Sequence, residues 1–186
     1  MSATYIQSRY LCFLTLKFSE YIKITKSFPL MAAKAFRSMQ TENDQPFNFV
    51  YVSGEGATHH PGYFTPIFGR TKGETEIELS KIRADYPQFH ASAMRPGFVD
   101  VVDDNAIKPF VPKGGPLRAA GLAVLGPAIR AGFKSNWSPT VPLGQFLVEM
   151  AAGMRNDDLK GPTVQKLGEF PVVSNTVFRT MMKLDH

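Results

Sequence analysis

FNFVYVSGEGATHH (47–60), PIFGRTKGETEIELSKI (66–82) and FHASAMRPGFVD (89–100) together decide the fold of this chain. Phe47–Ser53 is dense in aromatic and β-branched residues and reads as a buried strand. Gly54, Gly56, Pro61, Gly62 and Pro66 mark a loop. Phe68, Thr71, Thr75, Leu79 and Ile82 then recur at helical spacing along one face. Phe89–Met94 is a second strand, ended by Pro96 and Gly97. A strand, a crossover helix and a further strand form a βαβ unit, which places the two strands parallel.

Upstream, Tyr10–Leu16 reads as a buried strand. Ser19 stands at an N-cap position with Glu20 in the first turn. Tyr21, Ile24, Phe28, Met31, Ala32, Ala35 and Met39 follow at three- and four-residue spacing, which predicts a core-facing helical stripe. Pro29 interrupts it, so either the helix kinks there or a second helix begins. Thr41–Pro46 is a polar connection. Downstream, Asp103–Pro116 is a loop and Leu117–Phe133 an apolar helix bent at Pro127. Thr140 caps another helix, with Pro142 in its first turn and a stripe of Leu143, Phe146, Leu147, Met150 and Met154. Thr163–Leu167 is a short strand and Ser174–Lys183 a last helix. The expected fold is α/β in a single domain over 1–186, with a parallel sheet of three or four strands between flanking helices.

The 186 residues are 44% hydrophobic and 20% charged, a globular composition. The formal net charge of +5 allows attraction to polyanions. Yet the basic residues form no run longer than two and do not interleave with aromatics, so no nucleic-acid partner is expected. The lone cysteine, Cys12, makes no internal disulfide, which fits a reducing, cytoplasmic compartment. Leu11–Leu16 and Ala119–Ile129 are too short to span a membrane, and no signal-peptide pattern opens the chain.

Ligands of open α/β sheets sit at the carboxyl ends of the strands. Ser53-Gly54 and Arg95-Pro96-Gly97 end two strands there, and Lys72 lies near the start of the helix between them. In this order, YIKITKSFPLMAAKAF (21–36), YVSGEGA (51–57), GRTKGETE (69–76) and MRPGFVD (94–100) resemble an atypical short-chain dehydrogenase/reductase, the NAD(P)-binding group also described as nucleoside-diphosphate-sugar epimerase-like. The resemblance runs over residues 20–167. It implies the second half of a Rossmann-like domain, an NAD(P) cofactor and a small carbonyl or sugar substrate. It implies that Ser53 orients the substrate oxygen and Lys72 holds the nicotinamide ribose, with Arg95, Pro96, Gly97 and Phe98 beside the nicotinamide.

The family's general acid/base is a tyrosine four residues before the lysine, on the same helix face, where the cation favours the phenolate. Here that position is Phe68, which has no proton to give, and Tyr63 in the preceding loop is the possible substitute. The family's glycine-rich turn, which binds the pyrophosphate at a helix N-terminus, has no counterpart. Gly54-Glu55-Gly56 lacks the third glycine, and His59-His60-Pro61 opens no helix. The expected architecture is therefore a partial Rossmann-like domain whose first half is missing, with residues 1–19 an atypical N-terminus.

Two functions follow as expectations. One is an NAD(P)-dependent oxidoreductase or epimerase, weak or inactive alone and doubtful in cofactor binding. The other is a non-enzymatic half-domain that associates with itself or with a protein partner through an exposed sheet edge. Simpler roles stand beside these: Lys72 as a solvated helix lysine, Ser53 as a turn cap, and Arg95 as an ion-pair anchor at the strand end. The adjacent His59 and His60 have no Cys, Asp or Glu at ligand spacing, so no metal is expected.

Overall fold

The two apolar runs of the opening stretch lie side by side. β1 (Phe47–Val52) and β2 (Phe89–Met94) are parallel, with Phe47 opposite Phe89 and Val52 opposite Met94. The computed structural model describes residues 18–40, 45–111, 115 and 126–185. Tyr10–Leu16 with Cys12, most of Thr41–Pro46, and the larger part of Leu117–Phe133 lie outside these residues. Beyond β2, β3 (Phe98–Asp100) and β4 (Trp137–Pro139) form a separate parallel pair. β5 (Gln165–Leu167) and β6 (Phe170–Val173) complete the main sheet, whose order is β1-β2-β6-β5.

That sheet is mixed rather than wholly parallel. β6 runs parallel to β2, but β5 runs antiparallel to β6. The cause is local: Gly168 adopts φ 58°, the left-handed geometry that lets Gly168-Glu169 close a hairpin between Leu167 and Phe170.

The N-terminal helical region answers the question left open at Pro29. α1 (Phe18–Ile22) runs through a π turn, Lys23–Ser27, into α2 (Phe28–Ser38). Pro29 has no N–H to give the Thr25 carbonyl one turn back. That carbonyl accepts instead from the Tyr51 hydroxyl at 3.0 Å and the Thr75 hydroxyl at 3.4 Å. Burial pushes the Tyr51 phenol up to about 12. The π turn also shifts the phase of everything after it, because one extra residue rotates the helical face by about 100°. Beyond the turn the stripe expected to face the core therefore points outward at Phe28, Met31 and Met39, while Ala33 and Leu30 face the sheet instead; Ile24, within the turn, is exposed as well.

α3 (Ile67–Asp85) packs beside α2 on one sheet face, burying Thr71, Thr75 and Leu79 as their spacing predicts, although Phe68 stays largely exposed. α4 (Thr140–Ala151) and α5 (Asn175–Met181) cover the other face. β2 serves both, its side chains alternating. Phe89, Ala91 and Ala93 meet the α2–α3 side, and Met94 meets Phe146, Met150 and Phe178 on the α4–α5 side. Among the described residues no helix is long and apolar enough to cross a membrane.

Candidate functional site at the carboxyl ends of the strands

Where β1 and β2 end, their loops continue to bond. Ser53 N donates to Met94 O at 2.8 Å, Glu55 N to Pro96 O at 2.9 Å, and Arg95 N to Val173 O at 2.8 Å. The loop after β1 then lies directly on α3. A Cβ on Gly69 would sit 2.5 Å from Gly56 O, and one on Gly73 would sit 1.9 Å from Thr58 O. Glycine inside a helix costs about 1 kcal/mol relative to alanine; here two of them, one turn apart, permit an approach that no side chain would. Gly97 serves the same end, since its Cβ would lie 2.4 Å from Asn136 O.

This close approach brings charges together. Lys72 Nζ donates to the Ser53 carbonyl. Burial lowers the Lys72 ammonium pKa below its ordinary value, partly offset by the Glu76 carboxylate one turn on. The Ser53 side chain is 2% exposed, and its Oγ has no hydrogen-bond partner. Glu76 is fully buried and binds Arg95 through two bonds, Nε to Oε1 at 2.9 Å and Nη2 to Oε2 at 2.5 Å. His59 Nε2 lies 2.5 Å from the same Oε2 and 3.0 Å from Arg95 Nη2.

Burial alone would raise the Glu76 carboxyl. The Arg95 guanidinium, then the nearby Ser53 hydroxyl, and least of all His59, together outweigh it and hold the group below its ordinary value, although the Ser53 pair lacks regular hydrogen-bond geometry. An ionised carboxylate only accepts, so His59 Nε2 carries the hydrogen, and its approach to Arg95 is a packing contact.

A second network locks the loop after β2. Gly97 N donates to Ser138 Oγ at 2.9 Å, and Ser138 Oγ to Asn175 Oδ1 at 2.6 Å. Asn175 Nδ2 donates to Ser135 O, and its backbone N to Glu55 Oε1, each at 2.6 Å.

The residues expected at the site divide accordingly. Ser53 and Lys72 come together. Arg95 spends its guanidinium on Glu76, as an ion-pair anchor does. Pro96 and Gly97 hold the loops through their backbones, and Phe98 is half-buried at the start of β3. Phe68 lies against Gly56 with 42% of its surface exposed. Tyr63 is 92% exposed and meets Phe64 edge-on at 5.2 Å. Sequence reading missed Glu76 and Asn175, and it weighed His59 only as a metal ligand, not as a partner of Glu76. The signal for Glu76 was available: it follows Gly69 and Gly73 on one helical stripe, and two glycines at that spacing mark a face in close contact.

No family model matches the chain. The botcinic acid biosynthesis cluster B protein 16 of Botryotinia fuckeliana (strain B05.10) is 48% identical over 156 residues, which cover 83% of this chain and 98% of that protein.

Proposed function

The chain belongs to the family of the botcinic acid biosynthesis cluster B protein 16, and from that premise we propose that it serves small-molecule biosynthesis as a partial Rossmann-like relative of the NAD(P)-dependent reductases and epimerases. The observation that carries this reading is the Lys72 ammonium held on the Ser53 carbonyl, beside a buried Ser53 hydroxyl with no partner of its own. A cation and a hydroxyl that makes no regular hydrogen bond, at the carboxyl ends of parallel strands, suit ribose hydroxyls and a substrate carbonyl or alcohol. The donor set therefore fits the nicotinamide–ribose end of the cofactor. NAD(P) bound there would supply or accept a hydride.

The chain's own contribution follows from its residues. Lys72 binds the ribose, and Ser53 orients the substrate oxygen. Pro96, Gly97 and Phe98 flank the nicotinamide. Arg95 is a positioning residue, acting through Glu76 and the loop it fixes. Proton transfer falls to no side chain at position 68, and Tyr63 serves only if its loop folds toward Ser53. Among the described residues no glycine-rich turn opens a helix, so affinity rests on the nicotinamide half and is weak.

The test is a thermal melt of the full chain with millimolar NADPH, NADP, NADH or NAD. A ligand that binds only the folded state raises the midpoint. One pair is expected to raise it, and Lys72→Met to abolish that rise while still melting cooperatively. A cooperative melt of the parent protein that no cofactor moves overturns the reading.

A second reading, association through an exposed edge, draws on different observations. β1 is an outer strand of the described sheet, and the apolar residues of α1 and α2 are exposed.

A further inference from the structure

The sheet opens at the end opposite Ser53 and Lys72. β2 and β6 pair only at Ala93–Val172 and Met94–Val173. Proline explains why. Val173 O accepts from Arg95 N, so Val173 turns its backbone polar groups toward β2. Strand alternation makes Pro171 the next residue to do so, and Pro171 has no N–H to give Ala91 O. Arg83 supplies the missing donor: its Nη1 reaches Ala91 O at 2.7 Å. With no ladder to hold them, the strands part and leave a cavity of about 240 Å³.

We propose that this cavity binds a small metabolite through an oxyanion, a carboxylate or a phosphate, held by Arg83 with His90 and Ser92. Three observations converge on it. Arg83 is half-buried, and apart from the bond to Ala91 O its N–H groups find no acceptor among the described residues. Burial lowers its pKa more than Glu169, the opposing charge nearby, restores it, and the two form no ion pair. A half-buried guanidinium with no paired carboxylate has N–H groups to spare, and a carboxylate or a phosphate can meet them with two oxygens in parallel bonds.

Second, the Ser92 hydroxyl lines the same wall as a further donor, and the buried Oδ1 of Asn48 on β1, an acceptor with no hydrogen-bond partner, suits a hydroxyl or N–H of the same metabolite rather than its oxyanion. Third, cations outnumber anions in the lining: Lys160 and Lys166 join Arg83 there against Glu169, Lys160 paired with exposed Asp157 at 2.8 Å and Lys166 donating to Lys160 O at 2.9 Å.

His90 reports on the site. Burial, then Arg83 on α3 and Lys160 after α4, lower its pKa, opposed by a backbone bond at Pro87; Lys166 and Glu169 from the β5–β6 hairpin also line the cavity. An anion entering beside the ring favours the imidazolium and raises that pKa.

The experiment uses the full chain with inorganic phosphate and malonate in separate arms, against sodium chloride at matched ionic strength. Thermal midpoint and the His90 ring resonances across pH are read in each. At least one oxyanion is expected to raise both the midpoint and the His90 pKa where chloride does not, and the stronger arm identifies phosphate or carboxylate as the class. Arg83→Gln is expected to weaken the response at least tenfold. Because Arg83 also supports Ala91 O, His90→Gln is the second variant, expected to weaken the midpoint response in a protein that folds. If neither oxyanion exceeds chloride, or if folded R83Q or H90Q responds as fully as the parent, the proposal falls.

Discussion

Glu76 shows how a single side chain ties the loop after β1 to the strand end of β2. It has no solvent contact, and its charge is held by Arg95 and His59. Glu76→Ala leaves the Arg95 guanidinium desolvated and without a counter-charge, a loss expected to cost about 3–5 kcal/mol in urea unfolding at pH 7. The pH dependence has a definite sign. The folded carboxyl titrates below its ordinary 4.5, so folding favours the ionised form. Its stabilisation is full above about pH 4.5 and fades as pH falls through the lower folded value. The stability gap between the parent protein and Glu76→Gln should therefore narrow on acidification; a gap that stays constant down to the acid limit would show that Glu76 is not ionised. The glycines at 69 and 73 mark the face on which Glu76 lies, but its partners were not legible from the sequence, because His59 and Arg95 lie 17 and 19 residues from it. The proximity of Ser53 and Lys72 was legible because one follows a strand end and the other lies near a helix start, and the fold has only to bring two such ends together.

Elements were readable where periodicity was clean and failed where one backbone exception changed the count. β1, α3 and β2 follow their apolar patterns. β6 did not declare itself, because FPVV is short and its proline speaks against a strand flanked on both sides. The sheet accepts Pro171 only because a side chain from another element replaces its donor. The replacement is measurable as a coupling. Arg83→Gln should cost about 1–2 kcal/mol by leaving Ala91 O without its donor. Pro171→Val restores an N–H to the ladder, so the same Arg83→Gln made in that background should cost less than half as much. Strictly additive losses across the four proteins of this cycle would mean that Arg83 and the missing N–H are unrelated. The outward stripe of α1 and α2 has a similar origin. Spacing counted from Tyr21 assumes an unbroken α-helix, and the π turn at Lys23–Ser27, accommodating Pro29, voids that assumption for every residue beyond it.

At the scale of the whole molecule, the consequence is an apolar surface with nothing over it among the described residues. Phe18 and Met31 are each 65% exposed, Met39 75%, and Ile24 52%. Single exposed apolar residues are ordinary, but several of them along one helical region, next to an outer strand, make the kind of surface that associates. The formal net charge of +5 works against two copies meeting. These two effects respond oppositely to salt: screening weakens the repulsion between like-charged chains and leaves the apolar contact intact. Sedimentation velocity at micromolar protein is therefore expected to show a mass above that of one chain, rising between low and moderate sodium chloride. Met31→Asp with Phe28→Ser should return the protein to a single-chain mass at every salt concentration, with its melting midpoint nearly unchanged because neither side chain is part of the core. A mass that falls as salt rises would assign the contact to opposite charges and not to this stripe. A single-chain mass throughout would leave the stripe uncovered in solution and remove the support for association through this face.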